Sequence, residues 1–523
     1  MVSTNTPCEV LIAGAGPTGL TLACNLLASG VSVRVVDKAR GPAITSRALG
    51  LMPRGVEVLD RAGALGDLEQ RANPLRQVVV DLGSRETAYL RMSQTTKLVT
   101  RPGLLISQAE IEASLRRRLA ELGGAVEWGA EVLHAGQDAE GVRVQFSDGR
   151  TAPCHWIVGC DGAHSRVRNL AGIGFPGVRI IERFLLADVH ADLPVPRDSA
   201  AVWLHGAGML GAFPLPGKDL WRLMAPAPDN ASEDGSNQDV QKLLTHILHE
   251  RSGCPLSAVR ATVWTSTFRI HRRLANRFRQ GRMLVAGDAA HIHSPTGGQG
   301  MNTGVGDAEN LAWKLSLVVH GDADTALLDS YEAERRPIAT EVLRSTSALT
   351  EMVLGDTRLA RVLRDHVFVR SLDLPLVQRL IWESASQLKI SYRRGPLAGT
   401  SGWPFRTGPL PGDRVADLPC LRLDGTPTRL YAELGGRWAL LTPSSTPTQV
   451  AQACVDRARD RLGTDTVTVL TPPAARPTQV VLVRPDGHAG WCGQPSPTAL
   501  DAWLTGILRH GCHHGQTYAA VGF

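Results

Sequence analysis

A glycine-rich turn close to the start of the chain constrains the fold more than any other feature of the sequence. The apolar run 9–13 precedes it, a helical pattern at 17–29 follows it, and a second predicted strand, 31–36, ends next to Asp37. The turn has the pattern G-x-G-x-x-G, formed by Gly14, Gly16 and Gly19. In a β-α-β unit these glycines permit the tight turn, the approach of backbone to a pyrophosphate, and close packing of helix on strand. The pattern therefore predicts a doubly wound parallel sheet that binds a dinucleotide at a helix N-terminus, with Asp37 accepting a hydrogen bond from a ribose.

The same glycine pattern occurs twice more, in contexts that do not fit a dinucleotide. The match at 172–177 contains Pro176 and runs into an extended segment. The match at 206–211 lies between two strand-like runs and is predicted to be a hairpin loop. The bare pattern is a weak signal in a chain with 53 glycines, so the surrounding sequence has to show which match binds a dinucleotide. We therefore predict one bound dinucleotide rather than two.

Composition excludes several other classes of protein. Charged residues make up 20% and hydrophobic residues 43% of the chain, as is typical of globular proteins. The length of 523 residues suggests about three domains. The net charge is only +6 and no Lys/Arg-dense run is present, so neither nucleic acid nor a membrane is an expected partner. The nine cysteines are scattered without a C-x-x-C pair, and no run of about 18 apolar residues occurs, so we expect a protein of the reducing cytoplasm. The histidines within 291–293 and 510–514 are interpreted as packing and tail residues, and no metal is expected.

Two further segments place a carboxylate directly after a buried strand. Residues 156–168 (WIVGCDGAHSRVR) carry Asp161, and residues 282–302 (RMLVAGDAAHIHSPTGGQGMN) carry Asp288. A carboxylate at the C-terminal end of a strand suits a polyol, and the glycines that follow Asp288 let backbone N–H groups approach a planar ring. The helix that starts near Met301 points its positive end at that ring, where it would stabilise the negative charge of a reduced flavin. The dinucleotide is therefore predicted to contain a flavin.

Four segments, in this order and spacing, resemble the class A flavin-dependent aromatic hydroxylases, the family of the para-hydroxybenzoate hydroxylase fold. They read GAGPTG, SRALGLMPRGVEVLD, CDGAHSRVR and GDAAHIHSPTGGQGMNTGVGDAENLAWKL, and the resemblance covers residues 8 to about 395. It implies non-covalent FAD as cofactor, NAD(P)H and O2 as co-substrates, and hydroxylation of a phenolic or polycyclic polyketide-type aromatic through a C4a-hydroperoxyflavin. A Baeyer–Villiger or antibiotic-modifying monooxygenase of the same family stays open, as does a flavin oxidase or a flavin-binding protein without catalysis. The Asp161-Gly162 segment favours the use of a pyridine nucleotide.

The resemblance also assigns residues to the cofactor. Asp37 would bind the adenosine ribose, although many members carry Glu there, and Arg47 would contact both the flavin and the pyridine nucleotide. Asp161 would serve both FAD and NAD(P)H, Asp288 would hold the ribitol, and Pro295 would lie near the reactive N5/C4a edge. Further residues assigned to FAD are, along the glycine turn and the strand after it, Gly14, Gly16, Pro17, Thr18, Gly19 and Lys38; on the helix 108–122, Gln108; beside adenine, Val132; and at the pyrimidine edge, Gly298, Gly300, Met301 and Asn302.

The segment 178–270 is the predicted substrate domain, because it alone lies between two cofactor-bearing parts and lacks cofactor motifs. Its short alternating runs predict a mostly antiparallel sheet that covers the flavin ring. The candidate substrate contacts are Trp203, Phe213 and Trp221. The candidate catalytic residues are Arg47, Pro295, His205 and Arg222, the last two to generate or stabilise a phenolate. No Tyr lies between Tyr89 and Tyr331, so a relay of paired Tyr hydroxyls has no candidates in the sheet, which favours a roomy apolar pocket for a multi-ring substrate.

The sequence predicts an α/β protein of three domains. A discontinuous FAD-binding domain of the glutathione-reductase type takes 1–177 and 271–395, the substrate domain is inserted at 178–270, and a C-terminal domain takes 396–523. The C-terminal domain resembles the thioredoxin-like extension of phenol and aromatic polyketide hydroxylases through PGDRVADL and VLVRPDGHAGW, but RWALLTPSS carries no redox cysteine pair. We expect a structural or assembly role for it, in a monomer or a homodimer.

Overall fold

The described part of the chain forms two compact units. The first comprises Met1–Cys24, Ser32–Ala308 and Arg335–Lys389, and the second comprises Asn25–Val31, Glu309–Glu334 and Ile390–Phe523. The computed structural model describes residues 8–508 except 45–47, 83–86, 93–100, 206–207, 229–236, 294–297, 355–361, 363, 399–407, 445, 447 and 473–478. The predictions made for Arg47, Pro295 and the histidines at 510–514 therefore fall outside the described residues.

Strands and helices alternate along both units, which confirms the predicted mixed α/β class. The strands are β1 (Cys8–Ala13), β2 (Val33–Asp37), β3 (Leu49–Leu51), β4 (Asn73–Leu75), β5 (Gln77–Asp81), β6 (Thr87–Arg91), β7 (Gly103–Ser107), β8 (Val126–Trp128), β9 (Val132–Gln137), β10 (Val142–Phe146), β11 (Thr151–Gly159), β12 (Gly177–Ala191), β13 (Ser199–His205), β14 (Gly208–Pro214), β15 (Leu220–Pro226), β16 (Val259–Leu274), β17 (Arg279–Gln280), β18 (Met283–Val285), β19 (His291–Ile292), β20 (Pro419–Leu421), β21 (Pro427–Arg429), β22 (Trp438–Leu441), β23 (Val467–Leu470), β24 (Val480–Val483) and β25 (Ala489–Gly493). The helices are α1 (Pro17–Ala28), α2 (Pro53–Arg61), α3 (Leu68–Arg71), α4 (Gln108–Glu121), α5 (Arg166–Leu170), α6 (Asn237–Ser252), α7 (Gly300–Val319), α8 (Asp329–Leu354), α9 (Val369–Ser371), α10 (Pro375–Ala385), α11 (Leu430–Leu434), α12 (Thr448–Leu462) and α13 (Pro497–Ile507).

The first unit contains a mostly parallel sheet of strand order β17-β18-β11-β1-β2-β8. The strands from β18 to β8 run parallel, whereas β17 and the β9–β10 hairpin pair antiparallel at its margins. Since parallel strands end at one edge of a sheet, the residues at the ends of β1, β2, β11 and β18 lie along a common edge, where open α/β sheets bind their ligands. These residues are Gly14, Asp37, Asp161 and Asp288.

Local sequence explains where the helices around this edge begin. Pro53 occupies the first turn of α2, where a backbone N–H has no partner within the helix, so the absence of this group in proline costs no hydrogen bond. The α4 helix begins after Ser107, whose Oγ accepts a hydrogen bond from the Glu110 backbone N–H at 3.4 Å. Ile111 and Leu115 of α4 are buried one turn apart, so one stripe of this helix faces the core.

The second sheet of the first unit has the strand order β19-β16-β12-β15-β14-β13-β5-β6. It is antiparallel throughout except for the parallel pair β13–β5. The antiparallel sheet predicted for 178–270 is present, and it extends further than predicted because β5, β6 and β19 come from outside that segment. One face packs on α6, while the opposite face contacts α8, α9 and α10.

The second unit contains a four-stranded sheet of order β23-β22-β24-β25, in which only the pair β22–β23 is parallel. A buried charge cluster lies against it. The Glu334 carboxylate accepts hydrogen bonds from Lys314 Nζ at 2.8 Å, from Asn310 Nδ2 at 2.7 Å and from both Nη atoms of Arg484 at 2.8 and 2.9 Å. Asp486 completes the cluster beside Arg484. Because each of these buried charges has an opposite partner, the cluster avoids the cost of an isolated buried ion.

The described residues contain neither a membrane-spanning helix nor a cluster of metal ligands. None of the described helices has the length and apolar character needed to cross a membrane. No group of three or more metal-ligating side chains comes together in the same part of the chain.

Candidate cofactor and substrate site

The glycine turn after β1 is built for close approach. Gly14 has a φ of +106°, and a Cβ on it would lie 2.3 Å from the Cys160 carbonyl oxygen. A Cβ on Gly19 would lie 2.0 Å from the Gly14 carbonyl oxygen, so both positions exclude any side chain. A Cβ on Gly16 would meet nothing within 4 Å, which leaves open space in front of the α1 N-terminus. That space and the free N–H groups of the first helical turn suit a pyrophosphate.

Asp37 lies where the sequence places it, and its carboxylate also holds the glycine turn. Its Oδ2 accepts a hydrogen bond from the Ala15 N–H at 2.7 Å, and its Oδ1 accepts one from the Ala39 N–H at 2.8 Å. A carboxylate offers about four acceptor positions, so these two bonds leave capacity for a ribose hydroxyl. The exposed Lys38 follows directly, and the Ala130 N–H, two residues before the buried Val132, donates to the Asp37 carbonyl oxygen.

A second carboxylate near Asp37 was not predicted from the sequence. Glu112 of α4 is buried and accepts a hydrogen bond from Gln108 Nε2 at 2.7 Å. Burial raises the pKa of the Glu112 carboxyl, and the negative charge of Asp37 raises it further. Glu112 therefore holds the side chain of Gln108, the residue that is expected to contact the dinucleotide part of FAD. The only sequence signal for this contact is the spacing of four residues between them on a predicted helix.

Asp161 begins the loop after β11 and carries an acceptor atom without a partner. Its Oδ2 accepts hydrogen bonds from the N–H groups of Arg166 and Val167 at 2.7 and 3.2 Å, which caps α5. Its Oδ1 is buried and has no hydrogen-bond partner among the described residues. Arg168, one helical position further on, donates to the Ala289 carbonyl oxygen at 3.0 Å and so connects this loop to the next one.

Asp288 lies in the tight turn that follows β18. Gly287 adopts a φ of +61°, and a Cβ on it would lie 2.5 Å from Thr18 Oγ1. A Cβ on Gly304 of α7 would lie 2.4 Å from the same oxygen, so Thr18 fills the space between the turn and the helix. The Asp288 side chain is exposed, yet the surrounding protein raises the pKa of its carboxyl by desolvation. The carboxylate is therefore open to solvent on one side while nearby protein atoms partly desolvate it.

A buried ionic network supports that turn from below. Asp307 of α7 accepts a hydrogen bond from the Gly287 N–H at 3.1 Å, and its Oδ2 lies 2.6 Å from His291 Nε2. Its other oxygen accepts from Arg335 Nε at 2.7 Å. Burial alone would raise the pKa of the Asp307 carboxyl, but the adjacent His291 and Arg335 hold it below its usual value. Asp307 is therefore a fully buried anion that fixes the backbone next to Asp288.

The N-terminus of α7 is fixed by the side chain of Asn302. Its Oδ1 accepts a hydrogen bond from the Met52 N–H at 2.9 Å, and its Nδ2 donates to the Gly298 carbonyl oxygen at 2.9 Å. A Cβ on Gly55 would lie 2.2 Å from that Oδ1, which explains the glycine in α2. Because the Asn302 side chain is occupied, the groups left for a ligand are the N–H groups of the first turn, from Gly300 to Asn302. They provide donors and a partial positive charge, as the pyrimidine edge of a flavin requires.

The second sheet divides the predicted substrate residues between its two faces. Phe213 and Arg222 are directly paired on neighbouring strands and share a face with Val202, Met224 and Trp264. We call this the Phe213 face. Among the described residues it is mainly apolar but also carries Arg222, which lies 5.5 Å from the Trp264 ring centroid and is 2% exposed, and Asp188, which is directly paired with Arg222. A large aromatic ligand could pack there against aromatic and aliphatic groups.

The residues at the sheet edge and at the α7 N-terminus fit FAD. The open approach at Gly16, the partnerless buried Oδ1 of Asp161 and the exposed Asp288 carboxylate lie at the ends of adjacent parallel strands. An open approach for phosphate and acceptor oxygens for hydroxyl groups are the features that a dinucleotide requires.

Two family models match the chain. One, described as an FAD binding domain, matches residues 7–346, and the other, described as aromatic-ring hydroxylase, C-terminal, matches residues 408–510. The chain belongs to the FAD-dependent aromatic-ring hydroxylases.

Named relatives of this hydroxylase agree with that assignment. The 6-methylpretetramide 4-monooxygenase of Streptomyces rimosus is 38% identical over 450 residues, which are 83% of this chain and 79% of the relative. The rifampicin monooxygenase of Rhodococcus hoagii is 33% identical and covers 95% of this chain and 98% of its own. A solved structure of anhydrotetracycline hydroxylase from Streptomyces rimosus matches with a TM-score of 0.75 and 34% identity, over 94% of this chain and 96% of that one. The predicted family, FAD cofactor and monooxygenase activity are thereby confirmed.

The structure of this hydroxylase separates two of the predicted substrate contacts from the third. Trp203 and Trp221 are buried on the face of the second sheet opposite to the Phe213 face, in the hydrophobic core against α6. Side chains alternate between faces along a strand, so both tryptophans point away from Phe213 and Arg222. In this position they pack in the hydrophobic core between the sheet and α6. The side chain of His205 lies outside the described residues, as do Arg47 and Pro295.

Proposed function

We propose that this hydroxylase uses NAD(P)H and O2 to add one oxygen atom to a multi-ring phenolic substrate bound at the Phe213 face. When bound, FAD would supply two-electron reduction by NAD(P)H and activation of O2 for oxygen transfer. The observation that carries the proposal is the composition of the Phe213 face, which is mainly apolar and whose buried cation, Arg222, is already paired with the Asp188 carboxylate on the same face. The protein's own residues then have to exclude water, orient the ring and hold the cofactor.

The pairing of Arg222 disfavours a small benzoate as the substrate. Arg222 Nε and Nη2 donate to the two carboxylate oxygens of Asp188 at 2.7 and 2.8 Å, a bidentate pair. A benzoate carboxylate on this face would compete with Asp188 for that cation and would lose its hydration without a full counter-charge. A larger aromatic without a carboxylate does not incur this cost.

Arg222 instead acts through the backbone beside it. Its Nη1 donates to the Ala48 carbonyl oxygen at 3.2 Å. Ala48 directly follows the segment that contains Arg47, which the family resemblance assigns to both flavin and pyridine nucleotide. In the proposed enzyme Arg222 is a positioning residue that connects the substrate face to this segment, and Asp161 Oδ1 accepts a hydrogen bond from a bound nucleotide.

The names of the relatives support a large substrate. They act, by name, on 6-methylpretetramide, anhydrotetracycline and rifampicin. We extend this class to the present hydroxylase as a multi-ring phenol of polyketide type. The division into a FAD-binding domain at 1–177 and 271–395, a substrate domain at 178–270 and a thioredoxin-like domain at 396–523 belongs to the same proposal. The strand order and directions around β22 support the last of these, and β22 itself (WALL) contains no cysteine.

A titration of the holoenzyme tests the substrate class. Flavin absorbance is followed while 4-hydroxybenzoate or a multi-ring phenol is added, and NADPH consumption, H2O2 release and the structure of the product are measured in parallel. Tight binding and coupled hydroxylation are expected for the multi-ring phenol, with weak binding and mainly H2O2 for the benzoate. Coupled hydroxylation of 4-hydroxybenzoate with none of multi-ring phenols would refute the proposal, and ring expansion in the product would identify Baeyer–Villiger chemistry instead.

A further inference from the structure

Two cysteines lie side by side at the start of the parallel sheet. Cys8 opens β1 and is in register with Cys154 of β11. Neighbouring strands are about 4.8 Å apart, and residues in register point to the same face. The Cα atoms of a disulfide are usually roughly 4.4–6.8 Å apart. The two residues therefore satisfy the backbone requirement of a disulfide without a shift of either strand.

The surroundings of the two thiols differ in a way that suits bond formation. A hydrogen bond with the Cys154 thiol lowers the pKa of Cys8, burial opposes this, and the positive charge of Arg34 lowers the pKa further. The same hydrogen bond and burial raise the pKa of Cys154. Among the cysteines in the described part of the chain, Cys8 alone has a lowered pKa, whereas burial raises that of Cys24 and of Cys492 to about 12. Of two adjacent thiols, the one with the lower pKa is the better attacking cysteine, and its neighbour is then the resolving one.

Solvent access favours the same order of events. Cys8 is 6% exposed and Cys154 is 3% exposed, and Cys8 stands at the end of its strand whereas Cys154 lies in the interior of β11. Both thiols are buried, and Cys8 is the less enclosed of the two. Both thiols are reduced in this structure.

We propose that Cys8 and Cys154 are a modification site, where hydrogen peroxide drives formation of a reversible disulfide between β1 and β11. The Cys8 thiolate attacks one oxygen of H2O2, the O–O bond breaks, and after uptake of one proton Cys8 becomes a sulfenic acid and water leaves. The Cys154 thiol then attacks the Cys8 sulfur, and the hydroxyl leaves with the thiol proton as a second water. In sum, two thiols are oxidised by two electrons while one peroxide is reduced to two waters.

The bond would join the two strands that lead into the cofactor edge. β1 continues into Gly14 and β11 continues into Asp161. Oxidation therefore restrains the glycine turn and the Asp161 loop relative to each other. This inference does not depend on which substrate the enzyme hydroxylates.

Thiol mapping of the holoenzyme tests the inference. The reduced protein is exposed to H2O2, free thiols are blocked with N-ethylmaleimide before and during denaturation, and digested peptides are analysed by mass spectrometry. We expect a linked peptide pair containing Cys8 and Cys154 that disappears after dithiothreitol. The variant Cys8→Ser should lose the pair completely and leave Cys154 alkylated, while the matched control Cys454→Ser, in the second unit, should keep it.

If a variant folds poorly, measurements on the wild-type protein alone still test whether the disulfide forms. A reversible shift of the melting temperature that accompanies the linked pair, and returns with dithiothreitol, supports a disulfide in the folded enzyme. Over-oxidation of Cys8 to a sulfinic acid while Cys154 stays alkylated would overturn the inference. A linked pair that forms only when blocking is delayed until after denaturation would overturn it as well.

Discussion

The substitution Asp307→Asn tests whether the buried ionic network stabilises both the folded protein and the turn that contains Gly287 and Asp288. Asparagine has nearly the same shape as aspartate, so the change removes a charge without opening a cavity. Asp307 is 0% exposed and serves three donors, the Gly287 N–H, His291 and Arg335. Asparagine has a single carbonyl oxygen, so either the Oδ1 or the Oδ2 partners lose their acceptor.

The expected loss in the free energy of unfolding follows from the charge of Arg335, which stays buried without its carboxylate. Arg335 is 2% exposed, and the Asp307 carboxylate is the anion beside its Nε. Removing one member of a buried ion pair costs roughly 3–5 kcal/mol, because the remaining charge stays desolvated. We expect the free energy of unfolding to fall by that amount at pH 7. The Gly287 turn should loosen at the same time, so the variant should also retain less FAD.

Urea unfolding followed by tryptophan fluorescence measures the first effect, and the flavin-to-protein ratio after gel filtration measures the second. Asp198→Asn is the matched control, because Asp198 is 3.8 Å from Arg76 in an exposed pair. Exposed pairs contribute at most about 1 kcal/mol, so this control should change neither readout much. Adding Arg335→Met to Asp307→Asn removes the orphaned cation and should recover part of the lost stability.

Two outcomes would refute this reasoning. One is an Asp307→Asn enzyme whose stability lies within about 1 kcal/mol of wild type and whose FAD content is unchanged. The other is a double variant in which the effects of Asp307→Asn and Arg335→Met simply add, since residues in one network should couple.

Three further predictions concern other parts of the chain. Two buried cations outweigh burial and hold the pKa of the Glu334 carboxyl at about 2, so its stabilisation is present above its usual pKa and is lost as the pH falls towards 2; Glu334→Gln should lower the free energy of unfolding at pH 7 by roughly 3 kcal/mol and flatten that acid dependence, and an unchanged urea curve would contradict this. Phe213→Ala should weaken binding of multi-ring phenols at least tenfold in the flavin-absorbance titration, whereas Trp203→Phe should lower stability without changing binding. If Trp203→Phe weakens binding and Phe213→Ala does not, the substrate lies on the face opposite to the Phe213 face and the proposal is wrong. Asp288→Ala should remove a charge-assisted hydrogen bond of roughly 1.5–3 kcal/mol and release FAD on gel filtration, and a fully yellow variant would contradict the ribitol assignment.

The cofactor edge could be predicted from the sequence because its residues lie in local patterns. A strand, a glycine turn and a helix follow each other within twenty residues at Gly14, and each of Asp161 and Asp288 directly follows its own buried strand. The parallel direction of those strands then brings the residues together without further information. A residue that directly follows a strand of this parallel sheet therefore lies at the edge where the ligand is expected to bind.

The supporting contacts could not be predicted, because they join residues that no local pattern relates. Asp307, His291 and Arg335 meet from three elements, and Asp307 was visible in the sequence only as one polar residue along a helix. The occupation of the Asn302 side chain by Met52 depends likewise on a contact across 250 residues. Such contacts follow from tertiary packing and not from hydrophobic periodicity.

The faces of the second sheet show where strand periodicity stops being informative. Alternation along a strand separates Trp221 from Arg222, but it does not say which of the two faces the cofactor. The packing of α6 distinguishes the two faces, because its apolar residues, among them Leu244 and Leu248, cover the face that carries Trp221. The Phe213 face is covered by α8, α9 and α10, so in the proposed enzyme the substrate lies between that face and these helices. The cation on that side is already neutralised by a carboxylate, so recognition rests on apolar area and ring stacking, which is the reason to expect a large ring system rather than a small acid.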